Sequence, residues 1–476
     1  MRCWLATLFL WLFVTPAGAE DRIDLRVLYC GDSASARAAD FDSFLQKHFA
    51  HATATDLAGF NDRQAQDHDV IIFDWSDTSD SEGIPDFDLT DQLRKKVPEL
   101  STDFARPTIL IGETGGRVGI QLKLKIDWLC LCLKDEAHHL ATDHAIFRAP
   151  LVVDPRLTEV PTPIGYRELT TDESLGSTMR VWKVHIKTNP QVGLVSSLYG
   201  FEDSPDAEVI ARGISSKGPD TVALARHGNF LLWGFAGSPS VMTEDAQRVF
   251  INAISYMKQF DGAKPLVRRK APSREWAIRV CAAATPEAIE QAATEQRALL
   301  RKLLAKNPKL VPEEYKGNVD KLIAEREKHL REPQDPSTMN YYFPEAIRKQ
   351  FGADFAKYLR YYTENLEFLR PEKDDSWAFI ADEDAKAIGP SNRSIELLRR
   401  CIAMLEYGQN TEQAQRLLKR YTEVDYGTAA EWRKWLAEFE ARLFFSDVGG
   451  FKFFVGPAPK IAEPVSKTID EQLPSR

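Results

Sequence analysis

The segment Pro107-Thr108-Ile109-Leu110-Ile111 runs directly into Gly112-Glu113-Thr114-Gly115-Gly116. Four uninterrupted apolar or β-branched residues between a proline and a glycine turn read as a strand buried on both faces. A strand of that kind needs helices on either side, so the chain is constrained toward an α/β sheet. Where G-x-nucleophile-x-G closes such a strand, a Ser or Cys is presented above the sheet. Here the central position is Thr114, and the turn contains no Cys. The frame of a catalytic turn is present with a weak nucleophile in it, because a threonine hydroxyl needs strong activation to attack.

The rest of residues 22–262 repeats the α/β pattern. A first strand spans Leu25 to Tyr29, followed by a helix over Phe41–Phe49. Val70–Phe73 forms a second apolar strand, ending in Asp74-Trp75. Open α/β sheets hold ligands at the C-terminal ends of their strands, so Asp74, Trp75 and the 112–116 turn are expected at one edge. Val118, Ile120, Leu122, Leu124 and Ile126 alternate with period two, which favours a strand, whereas a nucleophile turn requires a helix there; both readings stand. Further strands are expected at 192–196, 222–225 and 230–235. Thr243 should cap a helix from Glu244 to about Met257.

Asp261-Gly262 and the basic run Arg268-Arg269-Lys270 read as a solvated linker over 263–284. Beyond it, residues 285–457 are almost wholly helical in pattern. Helices are expected after Thr285 and Phe343, over Ser394–Tyr407 and Thr411–Tyr421, and around Trp432–Phe439, as an all-α array or bundle. The aromatic run Arg442–Phe454 must dock, as a final strand or a clamp. Residues 458–476 read as a loose tail.

The chain has 476 residues, 43% hydrophobic and 28% charged, enough for two or more packed cores. A net charge of -9 gives a nucleic-acid partner no electrostatic support. Arg2, the apolar run Trp4–Val14 and Ala17-Gly18-Ala19 form a secretory signal over residues 1–19, predicting export and no membrane span afterwards. Six cysteines are scattered and form no disulfide framework. Cys130 and Cys132 would share one face of a strand, and read as two small core residues.

Four short segments carry a family resemblance. They are Tyr29-Cys30-Gly31-Asp32, Val70–Phe73 with Asp74-Trp75, Asp143-His144-Ala145-Ile146-Phe147, and Leu232–Gly237 followed by Phe250-Ile251-Asn252-Ala253-Ile254. Together they resemble the trehalose-utilisation (ThuA-like) branch of the class I glutamine amidotransferase-like superfamily, over about half the chain. The resemblance implies a flavodoxin-like doubly wound sheet and a link to carbohydrates. The family's key residues are altered: no Cys stands in the turn, and in the alternative register Gln121 replaces a histidine. The helical half, with Phe445-Ser446-Asp447-Val448-Gly449-Gly450, resembles an uncharacterised domain of planctomycete-like secreted proteins.

Two function classes follow. In the first, the α/β half is degenerate and binds a small ligand, a carbohydrate, or a protein partner. Glu113, Thr114 and Asp74 then belong to a crevice with Trp75, Gly112, Gly115, Gly116 and Arg117. In the second, the chain is a carbohydrate-active hydrolase, lyase or isomerase using His144 with Glu113 or Asp74 as acid–base partners. No metal site or cofactor motif is assigned. Convergence of Asp74, Glu113, Thr114 and His144 in one pocket is the geometric test between them.

Overall fold

The computed structural model describes residues 22–74, 97–167, 175–187, 192–331, 335–373 and 376–458. The expected signal, Trp75 and all but the first residue of the expected tail lie outside these residues.

The first half is built on one mixed sheet. Strands β1 (Ile23–Gly31), β2 (Phe49–Asp56), β3 (Val70–Phe73) and β4 (Thr108–Ile111) are followed by β5 (Cys130–Leu133), β6 (Glu136–His138), β7 (Leu157–Pro161) and β8 (Thr178–Lys183). Then come β9 (Gly193–Ser197), β10 (Ala207–Gly213), β11 (Thr221–His227) and β12 (Phe230–Trp233). The strands β2-β1-β3-β4-β12 are parallel and adjacent in that order. This is the 2-1-3-4-5 order of a flavodoxin-like sheet. Beyond β12 the sheet turns antiparallel through β11, β10, β6, β8 and β7.

The parallel strands are buried on both faces, as their unbroken apolar sequences require. Val27, Tyr29, Ile72, Ile109, Ile111, Leu231 and Trp233 pack under helices α1 (Ala36–His48) and α4 (Glu244–Met257). Their alternates Cys30, Ile71, Phe73, Leu110 and Leu232 pack on the other face, under α3 (Glu113–Leu122) and the Phe60 and Phe104 rings. A short helix, α2 (Asp62–Gln66), precedes β3. Thr243 caps α4, its hydroxyl accepting from the Ala246 N–H at 3.2 Å, a bond worth about 1 kcal/mol. The first half is thus α/β and doubly wound.

Residues 113–122 are helical, so the period-two pattern there is composite. Val118 and Leu122, four apart, are buried on one helix face, while Ile120 is 48% exposed. Lys123 then ends the helix in a left-handed conformation (φ 54°), and Leu124 and Ile126 are buried by the loop that follows.

The second half is mostly helical. It contains α5 (Glu275–Ala283), α6 (Pro286–Lys306), α7 (Val319–Leu330), α8 (Glu345–Phe351) and α9 (Phe355–Glu364), then α10 (Glu383–Ile388), α11 (Ile395–Glu406), α12 (Thr411–Tyr421) and α13 (Ala429–Phe439). It is not all-α. Leu369–Pro371 pairs with Phe379–Ala381 (β13, β14), and Leu443–Ser446 pairs with Lys452–Val455 (β15, β16). The aromatic C-terminal run is therefore a hairpin. Gly450 (φ 94°) sits in its turn, a conformation glycine adopts without steric cost.

The stretch expected to be solvated linker is packed. Arg268 donates to the carbonyls of Leu122 (2.5 Å) and Thr102 (2.7 Å), and Arg269 donates to Lys125 O (3.1 Å). The Lys270 N–H donates to Val448 O at 2.7 Å. Arg268 and Arg269 read as solvated because most of their partners are backbone carbonyls, which leave no trace in sequence; Arg269 also pairs with Asp127 at 2.9 Å.

Candidate functional site

The C-terminal ends of β1, β3, β4 and β12 meet at one edge of the parallel strands. Asp74 is 1% exposed there. Its carboxylate accepts from the Tyr29 hydroxyl (2.6 Å) and from Arg37 Nε (2.6 Å) and Nη2 (2.9 Å). Arg37 Nη1 donates to Ala236 O at 2.6 Å, tying α1 to the loop after β12. Burial alone would lower the Arg37 pKa, but the Asp74 charge more than offsets it and keeps the guanidinium protonated. Burial and the same carboxylate push the Tyr29 phenol far up, so it remains a donor.

Glu113 opens α3 and is 8% exposed. It is held by Arg117, one turn on, whose Nε donates at 2.8 Å and whose Nη2 also bonds Oε1. A carboxylate in the first turn of a helix is further favoured by the helix dipole.

The strand–helix junction itself is Gly112, with φ 52° and ψ −127°. That is the sharp, strained position at which a nucleophile turn displays its side chain, and the residue holding it has none. Thr114 lies two residues later, inside the helix. It is fully buried, and its hydroxyl has no hydrogen-bond partner. Gly115 and Gly116 are closely packed rather than open to a crevice. A Cβ at Gly115 would sit 2.4 Å from the Leu232 side chain, and one at Gly116 2.8 Å from that of Leu129.

His144 is elsewhere. Its Nδ1 accepts from the Ile146 N–H (3.2 Å), its Nε2 faces Glu208 (3.5 Å), and its ring meets Tyr256 edge-on at 4.8 Å. Tyr256 is in the last turn of α4, and Lys258, just beyond, bonds Asp69, the residue before β3. His144 therefore belongs to the N-terminal edge of the parallel strands. The span of β3 from Asp69 to Asp74, about 16 Å at ~3.3 Å per residue, separates it from the Asp74 edge. The structure brings Asp74, Glu113, Arg117 and Gly112 to one edge and places His144 at the other.

Arg37 and His185 at the Asp74 edge carry no sequence signal, and Asp135, which the sequence sets among the acids near His138, His139 and His144, pairs with His185 instead. His185 is 3% exposed. Its Nδ1 pairs with Asp135 Oδ1 at 2.6 Å, and its Nε2 accepts from the Gly237 N–H at 3.2 Å. Burial lowers its pKa, and Asp135 only partly restores it. The ring is thus neutral, with the proton on Nδ1. An Asp–His pair resembles half of a hydrolytic triad, but here the second nitrogen is occupied by a backbone amide. The imidazole fastens the loop after β12 and has no lone pair left to act as a base.

No protein-family model matches the chain, and no curated protein matches it. Among solved structures, the chain is similar to a Thermoplasma acidophilum protein assigned as a GMP synthase subunit. The identity is 12% and the TM-score 0.26, over 50% of this chain and 96% of that one.

Proposed function

We propose that this is an exported, non-catalytic binding protein. Its α/β half keeps the frame of an amidotransferase-like turn without that chemistry, and it binds an uncharged polyhydroxyl ligand, a carbohydrate, at the C-terminal strand edge. The observation that carries the reading is Gly112: the residue in the nucleophile-turn conformation has no side chain, and the nearest hydroxyl is buried. Charge pairing supports the ligand class. Asp74 is matched by Arg37 and Glu113 by Arg117, whereas Asp135 is hydrogen-bonded to a neutral histidine that brings it no charge. The Asp74 and Glu113 carboxylates are thus already compensated and do not call for a cationic substrate, whereas a sugar hydroxyl can join such pairs as donor and acceptor together.

The test uses the chain starting at Glu20. Ammonia release from glutamine and hydrolysis of a glycoside panel should both be at background. A panel of mono- and disaccharides should raise the melting temperature for at least one member, and Glu113→Gln should weaken that shift. Turnover above background that Glu113→Gln or Asp74→Asn abolishes would overturn the reading in favour of an enzyme. A flat thermal response across the panel would overturn the ligand class.

A further inference from the structure

The cysteine pair on β5 has a geometry that neither the fold nor the proposed site uses. Cys30, Cys281 and Cys401 are buried singly in three different cores. Cys130 and Cys132 are half-buried, and their sulfurs lie 2.9 Å apart. The cause is a bulge. Leu131 opposes Leu194 and Leu133 opposes Gly193, so Cys132 is an extra residue with no partner on β9. A bulge bends its strand, and here it turns two side chains that would stand parallel toward each other. Strand β5 pairs only with β9 among the described strands, so its other margin is not engaged in the sheet.

We propose that Cys130 and Cys132 form a reversible disulfide, making this strand margin a thiol–disulfide exchange site. The co-reactant is a low-molecular-weight disulfide. One cysteine thiolate attacks that disulfide, giving a mixed disulfide with the protein and expelling one small thiolate. The second cysteine then loses its proton and attacks the protein-side sulfur, closing the Cys130–Cys132 bond and expelling the second small thiol. Two S–H bonds of the protein are lost and one S–S bond forms, while the small disulfide is reduced to two thiols. The sulfurs need approach by only about 0.9 Å to reach bonding distance. Burial, together with the neighbouring Cys132 thiol, pushes Cys130 up to about 12. The attacking thiolate is therefore scarce at neutral pH and the exchange is slow. Reactivity is confined to this pair because Cys30, Cys281 and Cys401 are each buried in a separate core, out of reach of a small disulfide.

The experiment equilibrates the native full-length mature chain with oxidised and then reduced glutathione. The sample is quenched in acid, unfolded, alkylated and mapped by mass spectrometry. The expected result under oxidation is one peptide holding residues 130–132 that has lost two hydrogens and takes no alkyl group, with Cys30, Cys281 and Cys401 fully alkylated. Reduced glutathione should restore both thiols. Cys130→Ser should instead leave Cys132 as a stable glutathione adduct, and Cys132→Ser should do the converse at Cys130. Alkylation of all five thiols after prolonged oxidation would overturn the proposal. So would a disulfide or glutathione adduct at Cys30, Cys281 or Cys401 under native conditions.

Discussion

Two buried carboxylate clusters in this molecule use the same chemistry for different ends. At the sheet edge, Asp74 is held by Tyr29 and Arg37, both from the α/β half. At the junction of the halves, Asp203 is bonded by Lys125, which is 0% exposed, and accepts from Ser446 Oγ and the Val448 N–H, both at 2.9 Å. Next to it, Asp447 accepts from Arg274 (3.2 and 3.3 Å) and from Arg393 (3.2 and 2.5 Å). The first cluster closes within one half, whereas the second reaches across some 240 residues to the Phe445–Gly450 turn. The difference teaches how little a buried acid at a strand end says about catalysis. A charge taken out of water must be matched wherever it sits. Only an unmatched group, or one left facing a crevice, is poised to react.

The comparison breaks most visibly at the junction. Asp203→Ala leaves the Lys125 ammonium buried against the Gly200 carbonyl without its carboxylate, and burial already lowers the lysine's pKa. Removing one partner of a buried pair costs about 3–5 kcal/mol. Chemical denaturation should show that loss, and Asp203→Asn should lose less because its amide oxygen still accepts. At the sheet edge, Arg37→Leu should cost about 2–3 kcal/mol, the scale of hydrogen bonds to a charged group, since Tyr29 still donates to Asp74. Adding Asp74→Leu should restore part of it. If Arg37→Leu proved neutral, the edge cluster would not be the lock described.

Acid should sharpen the same contrast. The junction is held by Lys, Arg and Asp, whereas the sheet carries buried histidines, one of which, His227, accepts from the Lys125 N–H beside the junction at 3.1 Å. His138, 1% exposed, is held by burial at about 4, against an ordinary 6.5, with the neighbouring His139 adding to the effect. Its folded pKa is depressed, so the unfolded chain binds the extra proton first. Stability is complete above pH ~6.5 and falls as pH drops from there toward 4, by on the order of 2 kcal/mol. Burial of His185 and of His227 acts in the same direction. Denaturation at pH 7 and pH 5 should show the slope, and His138→Asn should reduce it, leaving the share of the other buried histidines. A slope unchanged by that substitution would assign the acid sensitivity elsewhere.

What the sequence reveals divides along the same line. Val70–Phe73, Thr108–Ile111 and Phe230–Trp233 are legible because strands buried on both faces must be continuously apolar. The cap at Thr243 is legible because a capping hydroxyl is local. Asp74 and Glu113 are legible as edge residues because strand ends carry ligands in such sheets. Arg117, one turn from Glu113, is local, but the rest of the edge is not: Arg37 reaches Asp74 across 37 positions and Ala236 across 199, and His185 contacts Asp135 across 50. His144 draws attention through its local motif, yet its neighbours Glu208 and Tyr256 belong to distant elements. The glycine spacing puts the elbow two residues too late, because sequence shows where the glycines are and not which residue takes the positive φ.

That displacement can be measured. Gly112 has a positive φ, and an added Cβ would meet Ala236 at 3.7 Å and the Gly234 carbonyl oxygen at 3.9 Å, both ordinary contacts. Gly112→Ala should therefore cost backbone strain without a clash, about 1–2 kcal/mol. A cost near zero would mean that the junction residue is not the strained one.

Thr114 gives the smallest effect and the clearest separation of the two roles. A buried hydroxyl without a partner carries a desolvation penalty of about 1–3 kcal/mol, and replacing it by a methyl group removes that penalty. Threonine and valine differ little in helix propensity, so nothing else is expected to change much. Thr114→Val should leave stability unchanged or raise it by about 1 kcal/mol, and should leave any carbohydrate-dependent thermal shift intact. A nucleophile behaves in the opposite way: its loss abolishes turnover whatever happens to stability. A destabilised Thr114→Val protein, or one with a lost ligand response, would show the hydroxyl engaged with the crevice and return the turn to the chemistry its glycines suggest.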